Sequence, residues 1–323
     1  MPAPRKRYRY RLRRLTPVAA AVVVAALCGA WIGARQDGSP TATIAVAQAP
    51  LGGVGDAATK VVQAPERLLT ADAPLLVHRF APRLLGKSAI LVDAKTGRVL
   101  WALRPHARRP VASTTKIMTA LLAMRKLKPH DVVTVAKSVP RVPLVREGLR
   151  AGEHVEAWKI FYSMLLYSGN DDALAVAIAA GGTKWHFVHQ MNVEARILGL
   201  KDTHFVSPSG VVDVDNYSSA WDLAALTRVA MRSPRFRRIV RTPRKQVPWT
   251  APTYSKIYVN NNRLLTTYRG ADGVKTGYTH KAGPCLVASA TRGGVSLIAV
   301  VLNSPDMYAD AKRLLDLGFS SLS

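Results

Sequence analysis

The chain has 323 residues, 48% of them hydrophobic, which is enough for one large core or two modest ones. A net charge of +26 and a pI near 10.7 favour polyanionic surroundings: nucleic acid, anionic lipid or acidic wall polymer. Cys28 and Cys285 are the only cysteines, so no disulfide framework is implied, and a core of this size needs none even in an exported protein.

Residues 1–14 form a basic head with seven Lys or Arg and no acid. Leu15 to Ala34 follows as 20 uncharged residues rich in Ala and Val, a length that just spans a bilayer. Arginines ahead of such a segment hold the N-terminus in the cytoplasm and send the rest outside. The alternative is a cleaved signal peptide with Ala45-Val46-Ala47 as its small-residue cleavage site. That site lies far beyond the apolar run, so 15–34 is read as an uncleaved anchor. Either reading puts the body outside the cytoplasm and removes nucleic acid as a partner. Residues 35–77, rich in Ala, Pro, Gly, Thr and Val, read as an extended linker, with the folded domain spanning 78–323.

Ser88–Asp93 and Val99–Leu103 read as two strands of a hairpin around the turn Ala94-Lys95-Thr96-Gly97. A helix is predicted over Thr115–Met124, with Pro110 just ahead of it. Helical patterns then dominate to Arg238: Trp158–Leu166, Asp172–Ala180, Trp185–Leu198 and Ser219–Met231. Leu144–His154, with Gly148 and Gly152, reads as a loop or weak hairpin. Strands return around Tyr254–Val259, Gly273–Gly277, Leu286–Ala290 and Leu297–Leu302, and a last helix covers Met307–Leu317. Strands, a helical insertion and strands again make an α+β domain whose sheet joins both ends of the chain.

Three stretches carry chemistry. Ser113 falls at the first turn of its helix with Lys116 three residues on, so hydroxyl and amine share a face. An amine beside a hydroxyl is a base beside a nucleophile, provided the amine is kept neutral. The helix N-terminus adds N–H groups where an oxyanion would develop. Alone, the pair equally fits an N-cap serine and a solvated lysine. Ser168-Gly169-Asn170 interrupts two helices, offering a hydroxyl that can relay a proton and an amide that can hold a peptide bond. Alone, it fits a helix cap. Lys275-Thr276-Gly277 sits in a late strand, where strict alternation sends Lys275 and Thr276 to opposite faces. Both can serve one cleft only along a sheet edge, with Gly277 admitting a substrate backbone and the Tyr278 N–H pointing outward.

Ser-x-x-Lys, Ser-x-Asn and Lys-Thr-Gly in this order are far rarer together than singly. Here the sequence resembles the penicillin-binding proteins, specifically the low-molecular-mass D-Ala-D-Ala carboxypeptidases, over about Pro74 to Phe319. The likeness extends to Ala112–Ala120, Tyr217-Ser218-Ser219-Ala220, Asn262-Arg263-Leu264-Leu265, Thr279 and Ala282-Gly283. It implies an antiparallel sheet flanked by helices with an inserted all-helical subdomain, of the β-lactamase and transpeptidase kind. It also implies a serine peptidase acting on peptidoglycan stem peptides that end in D-Ala-D-Ala, with a part in cell-wall biogenesis and cell shape. β-Lactams would acylate it, and no metal or organic cofactor is needed.

By the same resemblance Ser113 is the nucleophile, Lys116 its base and Ser168 the proton relay to the leaving amine. Asn170 holds the acyl-side amide, Lys275 and Thr276 bind the terminal carboxylate, and the N–H groups of Ser113 and Tyr278 form the oxyanion hole. Trp221 and Pro284 depart from the family pattern (Arg and an aromatic are usual there), which touches packing more than chemistry.

Three rivals share these features. A β-lactamase of class A keeps its deacylating carboxylate in a Glu-x-x-Leu-Asn segment that none of the five Glu here provides. An endopeptidase would use the same residues on cross-links, and a non-catalytic wall-binding module would keep affinity without acylation. His186 and His189 share a helix face but have no third ligand nearby. Cys285 reads as buried and inert, and Asp171-Asp172 as a helix N-terminal pair.

Overall fold

The computed structural model describes residues 68–71, 82–211, 215–249 and 255–322. In chain order, the elements up to the middle are β1 (Ser88–Asp93), β2 (Val99–Leu103), α1 (Lys116–Lys126), β3 (Val132–Thr134), β4 (His154–Glu156), α2 (Ala157–Tyr162), α3 (Asn170–Gly181) and α4 (Lys184–Ile197). There follow α5 (Ala220–Ala230), α6 (Pro234–Val240), β5 (Arg244–Val247), β6 (Lys256–Val259), α7 (Leu264–Thr267), β7 (Ala271–Thr279), β8 (Gly283–Arg292), β9 (Val295–Leu302) and α8 (Met307–Leu322).

Five strands pair antiparallel in the order β2-β1-β9-β8-β7, so the sheet joins both ends of the described chain and β7 is an edge. Alternation sends Leu91, Leu286, Ala288, Leu297, Ala299 and Val301 to one face, where Ala311, Leu314, Leu315 and Phe319 of α8 cover them. Ile90, Val92, Val287, Ile298 and Val300 point to the other face, which α5 covers, with α1 packed on α5 beyond it. Each fully buried Leu, Val or Ile contributes about 1.5–3 kcal/mol of transfer free energy. Local signals start the helices: the hydroxyls of Ser219, Ser233 and Thr183 accept the N–H of Asp222, Phe236 and His186.

The structure corrects several expectations. The inserted region is not all-helical, because β3 pairs with β4 across the loop between them. The helix expected over Trp158–Leu166 ends at Tyr162 and runs into a π-helical turn, Ser163–Tyr167. β6 pairs with β5, not with the main sheet. Residues 68–71 fall within the stretch read as linker but dock on the body. Leu69 is buried, Thr70 exchanges backbone bonds with Gly97 and Val99, and Arg228 donates to Leu68 O, Ala94 O and Lys95 O at 2.7–2.9 Å. The segment expected to span a membrane, 15–34, lies outside the described residues. Among those described, no helix is long and apolar enough to cross one.

Candidate active site

Ser113 lies in a 3-10 turn, Ala112–Thr115, that feeds directly into α1. Thr114 Oγ1 closes this turn on Val111 O at 2.7 Å, and Thr119 Oγ1 ties α1 to Pro208 O at 2.6 Å. The turn packs against the edge strand so closely that glycine is required at position 277. A Cβ there would stand 2.9 Å from Val111 O and 3.0 Å from Ser113 N. Ala112, just before the serine, has a left-handed φ of 47°, uncommon for a non-glycine residue.

Lys116 is fully buried. Its Nζ donates to Asn170 Oδ1 (2.8 Å) and Ser209 O (3.2 Å) and lies 2.8 Å from Ser113 Oγ. A neutral amine has two N–H donors and one lone pair. The two carbonyl oxygens take the donors, which leaves the lone pair facing the serine hydroxyl. Burial, reinforced by the nearby Lys275 cation, holds this amine well below the ordinary lysine range, against the opposing pull of Asp172 and Asp171. The pocket therefore favours, relative to an exposed lysine, the form that can accept a proton.

Ser168 follows the π turn with φ +80°, and its N–H donates to Ser163 O at 2.9 Å. Strain of this kind is of order 1–3 kcal/mol and persists where surroundings over-determine it. Here the surroundings are specific. Asn170 N donates to Val145 O, and the Asp171 carboxylate accepts the N–H groups of Glu147, Gly148 and Leu149 at 2.8–3.1 Å. Asp172 accepts from Ser163 Oγ, and Glu147 pairs with Lys256 of β6. Asp171 and Asp172 thus sit in the first turn of α3, as expected, and Asp171 also straps the 147–149 loop beside Ser168. Burial and the neighbouring carboxylates of Asp171 and Glu147 raise the Asp172 carboxyl well above its usual range.

A cleft of about 860 Å³ opens beside these elements, lined by Ser113, Ser168, Thr276, Gly277 and Tyr278 among others. Lys116, Asn170 and Lys275 stand behind that surface. Lys275 is buried, donates to Thr276 O at 3.0 Å, and is brought down to about 7 by desolvation. The Asn170 amide nitrogen donates to Pro143 O at 3.2 Å, so the side chain first serves the protein's own lysine and loop. Pro284, expected to affect packing more than chemistry, lines the cleft opposite Tyr278 in the β7–β8 register. Trp221 stacks on His106 with ring centroids 4.7 Å apart. Cys285 is buried with its thiol pushed up to about 11, and His186 and His189 are exposed on α4. Among the described residues no cluster of His, Cys, Asp and Glu is placed to hold a metal.

Sequence reasoning missed the segment that closes the lysine pocket. Ser207-Pro208-Ser209-Gly210 delivers Ser209 O to Lys116, and Gly210, at φ +75°, lies where a Cβ would strike Ala112 O at 2.1 Å. Asn216 staples this segment by accepting from Val206 N and Ser207 N and donating to Ser207 O. Its sequence signal is only a turn-like Ser-Pro-Ser-Gly.

The sequence profile of the D-alanyl-D-alanine carboxypeptidases matches residues 77–306. The chain belongs to that family. The D-alanyl-D-alanine carboxypeptidase DacF of Bacillus subtilis is 35% identical over 72% of this chain, which spans 62% of that relative's length. A D-alanyl-D-alanine endopeptidase of Pseudomonas aeruginosa is 33% identical over 72% of this chain and 76% of its own. The crystal structure of the Streptomyces K15 DD-transpeptidase superposes with a TM-score of 0.70 at 32% identity, covering 74% of this chain and 98% of that one. This carboxypeptidase-family chain therefore has the penicillin-binding-protein fold, with its antiparallel sheet and helical layers as expected.

Proposed function

We propose that the chain is a serine D-Ala-D-Ala carboxypeptidase that trims peptidoglycan stem peptides through an acyl-enzyme on Ser113. The observation that carries this reading is the 2.8 Å approach of Lys116 Nζ to Ser113 Oγ in a buried pocket that disfavours the charged amine. Lys116 takes the hydroxyl proton as Ser113 Oγ attacks the carbonyl of the penultimate D-Ala. The N–H groups of Ser113 and Tyr278 receive the developing oxyanion where the turn meets the edge strand. Ser168, on the wall of the same cleft, hands a proton to the amine of the terminal D-Ala as the C–N bond breaks. Asn170 orients the acyl-side amide, while Thr276 faces the leaving-group carboxylate, with Lys275 behind it on the same strand. Water then cleaves the ester and restores Ser113.

β-Lactams mimic the substrate and would stall at the acyl stage. Residues 15–34 anchor the domain to the outer side of the bacterial membrane, a tether follows, and the catalytic domain takes in 68–71 as well as 78–323. Membrane fractionation with N-terminal sequencing tests that layout. The decisive assay is D-alanine release from a diacyl-Lys-D-Ala-D-Ala peptide. Wild type releases it and Ser113→Ala does not; release by both or by neither would refute the reading. Digestion of cross-linked muropeptides separates the carboxypeptidase from the endopeptidase activity named for the Pseudomonas relative.

A further inference from the structure

The cleft wall carries one lysine or arginine among the described residues, Arg263. Lys275 stands behind that wall with its amine turned onto the Thr276 carbonyl, so an arriving carboxylate meets no positive charge from it in the open. Arg263 is exposed and has no carboxylate partner among the described residues. Its guanidinium lies 5.9 Å from the centroid of the Tyr308 ring, and the Tyr308 hydroxyl donates to Asn261 O at 2.6 Å. The one acid on the wall, Asp306, accepts the Ala309 N–H at 3.1 Å, which turns its carboxylate to the first turn of α8.

The backbone under Arg263 is pinned on both sides of the site. Asn262 Nδ2 donates to Gly273 O of β7 at 2.7 Å, tying the turn to the strand that holds Lys275 and Thr276. Asn261 donates to Leu166 O through its N–H and to Tyr167 O through its amide, both at 3.1 Å, tying the same turn to the residues before Ser168. Asn260 fastens it to Val240 O and Thr242 O. A planar five-donor fork is thereby carried on the cleft wall that also holds Thr276.

We propose that Arg263 is the substrate-binding residue that pairs with the C-terminal carboxylate of the leaving D-Ala, with Thr276 as its neutral partner. The proposal rests on the carboxypeptidase reading above and adds the residue that makes a free C-terminus a requirement.

The test compares wild type, Arg263→Ala and Arg263→Lys on two substrates. One is diacyl-Lys-D-Ala-D-Ala, whose only carboxylate is the terminal one; the other is an acyl-D-Ala thioester of an uncharged thiol, which has none. A lost charge-assisted pair raises KM for the peptide about 10- to 100-fold in Arg263→Ala, with kcat moving less than about threefold. The thioester stays within about twofold, and Arg263→Lys recovers part of the loss. A peptide KM within twofold of wild type, or an equal fall on both substrates, would overturn the proposal. So would an effect confined to peptides bearing a side-chain carboxylate at the third stem position. A wild type inactive on both substrates would overturn the carboxypeptidase reading as well, whereas an active wild type with an unresponsive KM would overturn this inference alone.

Discussion

The two faces of the central sheet are built from alternate residues of the same strands and do opposite work. Towards α8, Leu91, Leu286, Leu297 and Val301 meet Leu314, Leu315 and Phe319 in a dry layer, with Ser304 and Asp310 as a polar pair at its edge. On the other side, beyond the apolar layer under α5, the protein buries Ser113, Lys116, Asn170, Asp171, Asp172 and Lys275 within one region. Buried polar groups are costly unless partnered, and a buried charge more so. The region meets that cost with hydrogen-bond partners and with a burial that disfavours the charged form of the Lys116 amine. Asp172 Oδ1 is the exception, a buried oxygen without a partner in a carboxyl that burial raises towards its neutral form. One face stores stability, and the region over the other spends it on positioning.

Substitutions on the two sides should therefore separate activity from stability. Lys116→Met removes the base but keeps an apolar stem of similar length. Acylation by penicillin is expected to fall about 10²–10⁴-fold, the usual worth of a positioned base, while the urea midpoint does not drop. In the wild type the same rate should rise with pH through a value well below that of an ordinary lysine, because only the neutral amine accepts the serine proton. Gly277→Ala forces a Cβ against Val111 O and Ser113 N. Displacing the nucleophile by about an ångström costs about 10²-fold in kcat/KM, read by D-alanine release. Leu314→Ala sits on the opposite face. It should cost about 2–5 kcal/mol in urea unfolding and leave kcat unchanged at a temperature where the variant is folded. If it instead inactivates without destabilising, the division between the faces is wrong.

The finest test concerns Lys275. Burial lowers its amine from 10.5 to about 7, so between those values the unfolded chain binds a proton that the folded chain does not. Stability therefore rises with pH across that window, with a slope of up to one proton. Lys275→Met should lack that component, and unfolding measured at pH 7, 8 and 9 in both proteins exposes the difference. Parallel curves would place the lysine's charge outside the buried interior.

Legibility followed periodicity and length. The β1–β2 hairpin, β7 to β9 and the long helices repeat apolar residues over enough positions to be read directly. β3 and β4 are three residues each and pair across a long loop, too short to show a period. β5 reads Arg-Lys-Gln-Val, and nothing in it marks a strand until β6 lies alongside. α6 was overlooked although Ser233-Pro234 is a capping pair with proline at the first turn. At the site, the three short stretches carry their residue types in sequence, but their partners do not. Ser209 reaches Lys116 through its main-chain carbonyl, which no side chain advertises, across 93 residues. The Asp171 cradle for three amides of the 147–149 loop and the Asn262 anchor on Gly273 are likewise set by tertiary approach alone.

Everything in this account turns on whether the buried amine makes Ser113 nucleophilic. Intact-mass analysis after incubation with benzylpenicillin, followed by peptide mapping, reads that directly. The expected result is one penicilloyl group per chain, located on Ser113 and absent from Ser113→Ala. An unmodified wild type, or an adduct that survives the substitution, would contradict it.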